Sequence, residues 1–170
     1  GASMRRGRCV VKQDTVSDLL DFIKRSPSAF HGAAEIRRML FDHGFKALSE
    51  AESWHIVPGG KYFVERNASA LIAFAVPGKA GASGLPPKKA AGFRLCASHS
   101  DSPVFKVKEN PEMESAGAVV LNVEKYGGML LAPWFDRPLS VAGRLTLRDG
   151  ASPWGFRSLL VNIVRDLLLI

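Results

Sequence analysis

The chain has 170 residues, 46% of them hydrophobic and 23% charged, with a formal net charge of +7. That balance excludes a disordered chain, which lacks the apolar content to build a core, and the length suits one domain or parts of two. Four of the 23 basic residues (Arg5, Arg6, Arg8 and Lys12) precede the first acid, Asp14; without them 19 bases face 16 acids and the excess falls from +7 to +3.

The charge excess therefore sits in an arm over residues 1–13, read as a flexible, solvated terminus. A basic arm can touch phosphate backbones. No later Lys/Arg stripe carries interleaved aromatics, so nucleic acid is not an expected partner. Gly1, Ala2 and Ser3 ahead of Met4 read as the remnant of an expression tag. The two cysteines, Cys9 and Cys96, have no Cys-x-x-Cys spacing and make no disulfide framework, which suits a reducing, cytoplasmic setting. The longest strongly apolar run, 68–77, is too short to span a bilayer, and the charged N-terminus lacks the apolar core of a secretory signal. No membrane association is expected.

In chain order, residues 14–25 form a predicted helix, with Val16, Leu19, Leu20 and Ile23 at helical spacing and Asp14 or Thr15 as the cap. Ser26-Pro27-Ser28 stops it. A second predicted helix covers 31–43, with Ala33, Ile36, Leu40 and Met39 on its apolar face, His43 favouring the dipole at its end and Gly44 just beyond. Two strands follow at 61–66 and 69–76, joined through Asn67, a good turn residue. Residues 78–91, rich in Gly, Pro, Lys and Ala, read as an exposed loop, and 93–97 as a buried strand. Beyond Pro103 the pattern becomes all-β, with strands expected at 104–108, 118–124, 141–147 and 159–164, punctuated by Gly127-Gly128 and Asp149-Gly150. The change of character marks a boundary between 14–103 and 104–170. The chain closes on the apolar run 167–170, which fits either a final buried strand or a chain cut from a longer protein.

The stretch that carries chemistry is Leu95-Cys96-Ala97-Ser98-His99-Ser100-Asp101-Ser102-Pro103. An apolar segment delivers His99 into a loop of small residues. A neutral imidazole there can ligate zinc, and Asp101 can either accept the other ring N–H or lean on a neighbouring ligand. By itself the pattern is weak: His-x-Asp recurs by chance, and a lone His at a strand end is more often a hydrogen-bonded structural residue. His31, His43 and His55 have no acids at ligand spacing. Gly-x-Ser-x-Gly, Gly-x-Gly-x-x-Gly and P-loop motifs are absent from the sequence.

Five ordered blocks give the chain a resemblance to a known family. Phe22-Ile23-Lys24-Arg25-Ser26-Pro27-Ser28-Ala29-Phe30-His31, Gly60-Lys61-Tyr62-Phe63-Val64-Glu65-Arg66-Asn67, His99-Ser100-Asp101-Ser102-Pro103, Glu124-Lys125-Tyr126-Gly127-Gly128 and Trp134-Phe135-Asp136-Arg137 resemble the aspartyl aminopeptidases. These are dinuclear zinc exopeptidases that remove N-terminal Asp or Glu from peptides. The resemblance implies an α/β fold: part of an α/β/α zinc-exopeptidase catalytic domain, followed by the start of a β-rich inserted dimerisation domain. It implies two zinc ions per active site, with His99 as a metal ligand and Asp101 as the catalytic residue that tunes it. It also implies a homo-oligomer, a dodecamer in the family. Trp134-Phe135-Asp136-Arg137 is read as a structural or assembly element. Ser100 stands where the family usually has Thr, Pro138 where an acid is common, and the 78–91 loop is longer than usual. The family's other ligands and its general-base glutamate have no counterpart here, so the chain alone is expected to be an inactive N-terminal portion. Two alternatives remain at this point: a non-catalytic interaction protein built on the same fold, and a nucleic-acid binder acting through the basic arm.

Overall fold

The structure, a computed structural model, describes residues 13–78 and 92–168. The basic arm with Cys9, most of the 78–91 loop and the last two residues fall outside that range.

Helix α1 (Gln13–Arg25) carries Asp14 in its first turn and Lys24 and Arg25 in its last, charges that complement the helix dipole. Pro27 cannot continue it, and the chain re-enters helix at α2 (Ala29–Asp42). Ser28, expected only to stop the first helix, also caps the second: its backbone is extended and its hydroxyl accepts from the His31 amide at 3.4 Å. A cap of this kind contributes about 1 kcal/mol. His43 ends α2 as expected, with a ring nitrogen 2.7 Å from the Met39 carbonyl, and Gly44 takes the left-handed φ of +77° that releases the chain. Glu35 ties the two helices together, accepting from Arg25 at 3.2 Å and from Arg38 at 2.7 Å.

Three strands pack beside the helices. A short β1 (Lys46–Leu48) runs parallel to β2 (Lys61–Arg66), and β2 pairs antiparallel with β3 (Ala70–Ala75). Asn67 and Ala68 at φ of 54° and 52° form the turn between β2 and β3, as the asparagine suggested. The core of this unit is Phe63, Tyr62 and Ala33, with Phe63 only 1% exposed and edge-on to Phe41 at 5.1 Å. Tyr62 fills the space over Gly60, where an added Cβ would come within 2.4 Å of its ring.

The second part is built from two antiparallel hairpins. β4 (Val104–Ser115) pairs with β5 (Ala118–Tyr126), and β6 (Leu139–Arg148) with β7 (Phe156–Leu168). Pro111 lies where the β4–β5 register shifts, between Val107 and Glu112, because a proline cannot donate to a regular ladder. Between the hairpins a 3₁₀ turn (Ala132–Trp134) sets Trp134 edge-on to Phe105 at 5.3 Å. Arg144 of β6 reaches the first part: it donates to the Asn67 carbonyl at 2.8 Å and sits 4.2 Å from the Phe30 ring.

One expected element is overturned. Residues 92–99 have no strand pairing, and Phe93 and Leu95 are each 92% exposed rather than buried. A strand needs a partner for its ladder, and none of the described strands pairs with this segment. The predicted apolar face of α1 does form, but Val16, Leu19, Leu20 and Ile23 are open to solvent. No helix among the described residues is long and apolar enough to cross a membrane.

Candidate functional site

The loop 98–102 packs against the start of α2 and the end of α1, and the open cleft between them holds about 290 Å³. Gly32 of α2 faces the loop, with the Ser100 carbonyl 3.8 Å from the position a Cβ would occupy, an ordinary van der Waals distance. From the other side, the Ser100 hydroxyl donates to the Ser69 carbonyl at 3.1 Å, anchoring the loop to the β2–β3 turn. The Ser26 hydroxyl lines the same cleft and has no hydrogen-bond partner among the described residues.

His99 and Asp101 meet in this loop. Nδ1 of His99 contacts Oδ1 of Asp101, while the rest of the ring is open, with the His99 side chain 85% exposed. An ionised carboxylate can only accept, so Nδ1 carries a proton, and in the neutral imidazole Nε2 keeps its lone pair. Among the described residues, Asp101 is thus the acceptor of the His99 ring N–H. The second carboxylate oxygen is also engaged: the hydroxyl of Tyr126, the last residue of β5, donates to Oδ2 at 2.9 Å. The bond to Tyr126, reinforced by His99, holds the Asp101 carboxyl below the usual carboxylate range, and the same bond raises the Tyr126 phenol.

Tyr126 is the residue that reading the sequence did not single out for a role. It stands 25 positions from Asp101, so no spacing rule links them. The available signal was its place in Glu-Lys-Tyr-Gly-Gly, directly before Gly127 at φ +76°. His31 stays outside the pair: its Nδ1 lies 2.8 Å from Ser28 Oγ, and burial lowers its pKa.

The donor set can be tested against zinc. A zinc site takes at least three protein ligands. His99 offers one free imidazole nitrogen with its partner already oriented by a carboxylate, the arrangement usual for zinc-bound histidine. Among the described residues no group of three or more His, Cys, Asp and Glu side chains gathers to hold a metal. The residues fit one ligand of a site and its support, not a complete site.

The family model for aminopeptidase I zinc metalloproteases, M18, matches residues 22–170. The chain belongs to the M18 family. It is 48% identical over 153 residues to a probable M18 family aminopeptidase 2 of Clostridium acetobutylicum, covering 89% of this chain and 34% of that protein. Among solved structures, it superposes on a chain of the Ape4–Nbr1 complex with a TM-score of 0.81 at 37% identity, covering 91% of this chain and 28% of that one. It also matches the Saccharomyces cerevisiae mApe1 dodecamer with a TM-score of 0.73 at 30% identity, covering 88% of this chain and 33% of that one. The M18 chain described here thus spans about a third of the length of the relatives it matches. Its mixed helix and strand architecture is that portion of the M18 fold.

Proposed function

We propose that this chain is the N-terminal portion of a zinc-dependent M18 aminopeptidase that removes N-terminal Asp or Glu from peptides. The observation that carries the proposal is the pair His99–Asp101, a largely exposed imidazole lining an open cleft with a carboxylate on its Nδ1. On this reading His99 is a zinc ligand and Asp101 the residue that orients it. The remaining ligands and the general base belong to the two thirds of the relatives' length that this chain does not span. His99 would be one of the ligands of a two-zinc site, and the metal would supply carbonyl polarisation and water activation there.

A chain with one histidine ligand is inactive on its own. In the complete enzyme, the proposal expects release of Asp and Glu from peptide N-termini in preference to Leu or Lys. Comparing kcat/KM on matched peptides tests it, and faster release of Leu than of Asp would reject the acidic preference. The 170-residue chain is expected to show no cleavage and no stoichiometric zinc uptake in calorimetry.

The proposal extends to assembly and setting. The yeast relative is a dodecamer, and the second part of this chain leaves Trp154 and Leu130 more than four-fifths exposed, residues that an oligomer would cover. Self-association adds to the catalytic reading rather than replacing it with a non-catalytic one. The exposed free thiol of Cys96 fits a reducing, cytoplasmic compartment.

A further inference from the structure

The Tyr126 hydroxyl donates to the carboxylate that holds the His99 ring. We infer that Tyr126 is a positioning residue for the metal ligand, its hydroxyl fixing the carboxylate that fixes the His99 imidazole. The inference rests on the reading of His99 as a zinc ligand.

A carboxylate on a short side chain is soft about its last torsion, which has broad, two-fold preferences. A single contact through Oδ1 would leave that plane free to rock, and the His99 ring would rock with it. Here both oxygens are engaged, Oδ1 by His99 and Oδ2 by Tyr126 at 2.9 Å. Two contacts on opposite oxygens define the plane. The need is acute because the His99 side chain is 85% exposed, with little packing from the described residues to hold it. Tyr126 is a neutral donor, so Asp101 keeps its full charge behind a ligand that faces a cation.

The fold explains why the hydroxyl arrives there. Asp101, Ser102 and Pro103 lead straight into β4, and Val104, its first residue, pairs with Tyr126, the last residue of β5. The hairpin therefore returns the chain to the loop it left. Gly127 then turns away at φ +76° over Pro103, with the site of its missing Cβ 3.6 Å from the proline Cα. The first rung of the β4–β5 ladder thus places a side chain of the second part against the ligand loop of the first.

Tyr126→Phe in the complete enzyme tests the inference. Zinc affinity, measured by chelator competition, is expected to fall about tenfold, the lower end of the 10–100-fold range for residues that orient metal ligands. In the zinc-loaded enzyme kcat is expected to fall with KM unchanged, because substrate binding is not touched. Tyr62→Phe is the control: it removes the only other tyrosine hydroxyl of the chain, which accepts from the Val57 amide at 3.1 Å away from the site. It should leave zinc affinity within twofold of the parent. In an Asp101→Ala background, Tyr126→Phe should add less than a twofold loss, because its route runs through Asp101. Parent-like zinc affinity in Tyr126→Phe, an equal loss in Tyr62→Phe, or fully additive losses in the double variant would each overturn the inference. Should His99→Ala itself retain zinc, the ligand reading fails. Should His99→Ala lose zinc while Tyr126→Phe binds it as the parent does, only the positioning role fails.

Discussion

Replacing His99 with Ala in the complete enzyme is expected to remove zinc from the site and to lower kcat/KM about 10³-fold or more. The magnitude follows from the role. A metal that polarises a carbonyl and activates water supplies several kcal/mol of transition-state stabilisation, and each 1.36 kcal/mol is tenfold in rate, so losing it costs about three decades. Asp101→Asn should fall short of that. It keeps the ligand and the shape but replaces an anionic acceptor with an amide, and such changes behind a metal ligand cost about 10–100-fold in affinity or activity. The ordering matters more than either value: His99→Ala worst, Asp101→Asn intermediate, Tyr126→Phe mildest. Metal analysis by atomic absorption together with kcat/KM on an N-terminal Asp peptide reads both quantities. A His99→Ala protein with full zinc and full rate would remove the ligand assignment.

The second large effect belongs to folding. Phe63 sits at the middle of β2, is 1% exposed and stacks edge-on against Phe41 of α2 at 5.1 Å, so it joins the sheet to the helices that wall the cleft. Phe63→Ala is expected to destabilise by about 3–5 kcal/mol, the lost transfer term plus the cavity. Against a total stability of about 5–15 kcal/mol for an ordinary domain, that is a large share. The contrast is the exposed pair Lys106–Glu124, 3.6 Å apart, where Lys106→Ala should change stability by less than about 1 kcal/mol. Urea midpoints measured on the complete enzyme separate the two. A Phe63→Ala midpoint as close to the parent as that of Lys106→Ala would mean that this small core does not hold the unit together.

The sequence was most legible where the signal is local. The 3.6-residue spacing of Val16, Leu19, Leu20 and Ile23, and the proline and serines after Arg25, located both helices to within a few residues. Asn67 marked the β2–β3 turn, and Gly127 the end of β5. Local spacing also showed the His99–Asp101 pair, because residues two apart in an irregular loop can meet without help from the fold. The failures are long-range. The apolar residues at 93–97 signalled burial, but an apolar run does not say which strand it pairs with, and no described strand pairs with it. β1 has three residues, too few for any period to show. Tyr126 depends on hairpin register to reach Asp101, and register is set by pairing and turn geometry rather than by the residues near the site. The open apolar face of α1 belongs with these: its spacing was readable, while what covers it was not.

The deciding property of the molecule is whether Nε2 of His99 holds a metal. Crystals of the complete enzyme grown with zinc, measured on both sides of the zinc absorption edge, answer that directly. The expected result is an anomalous peak about 2.0–2.1 Å from His99 Nε2, with Asp101 still on Nδ1. A peak elsewhere with the His99 ring turned away from it, or no peak at an otherwise active site, would contradict the account.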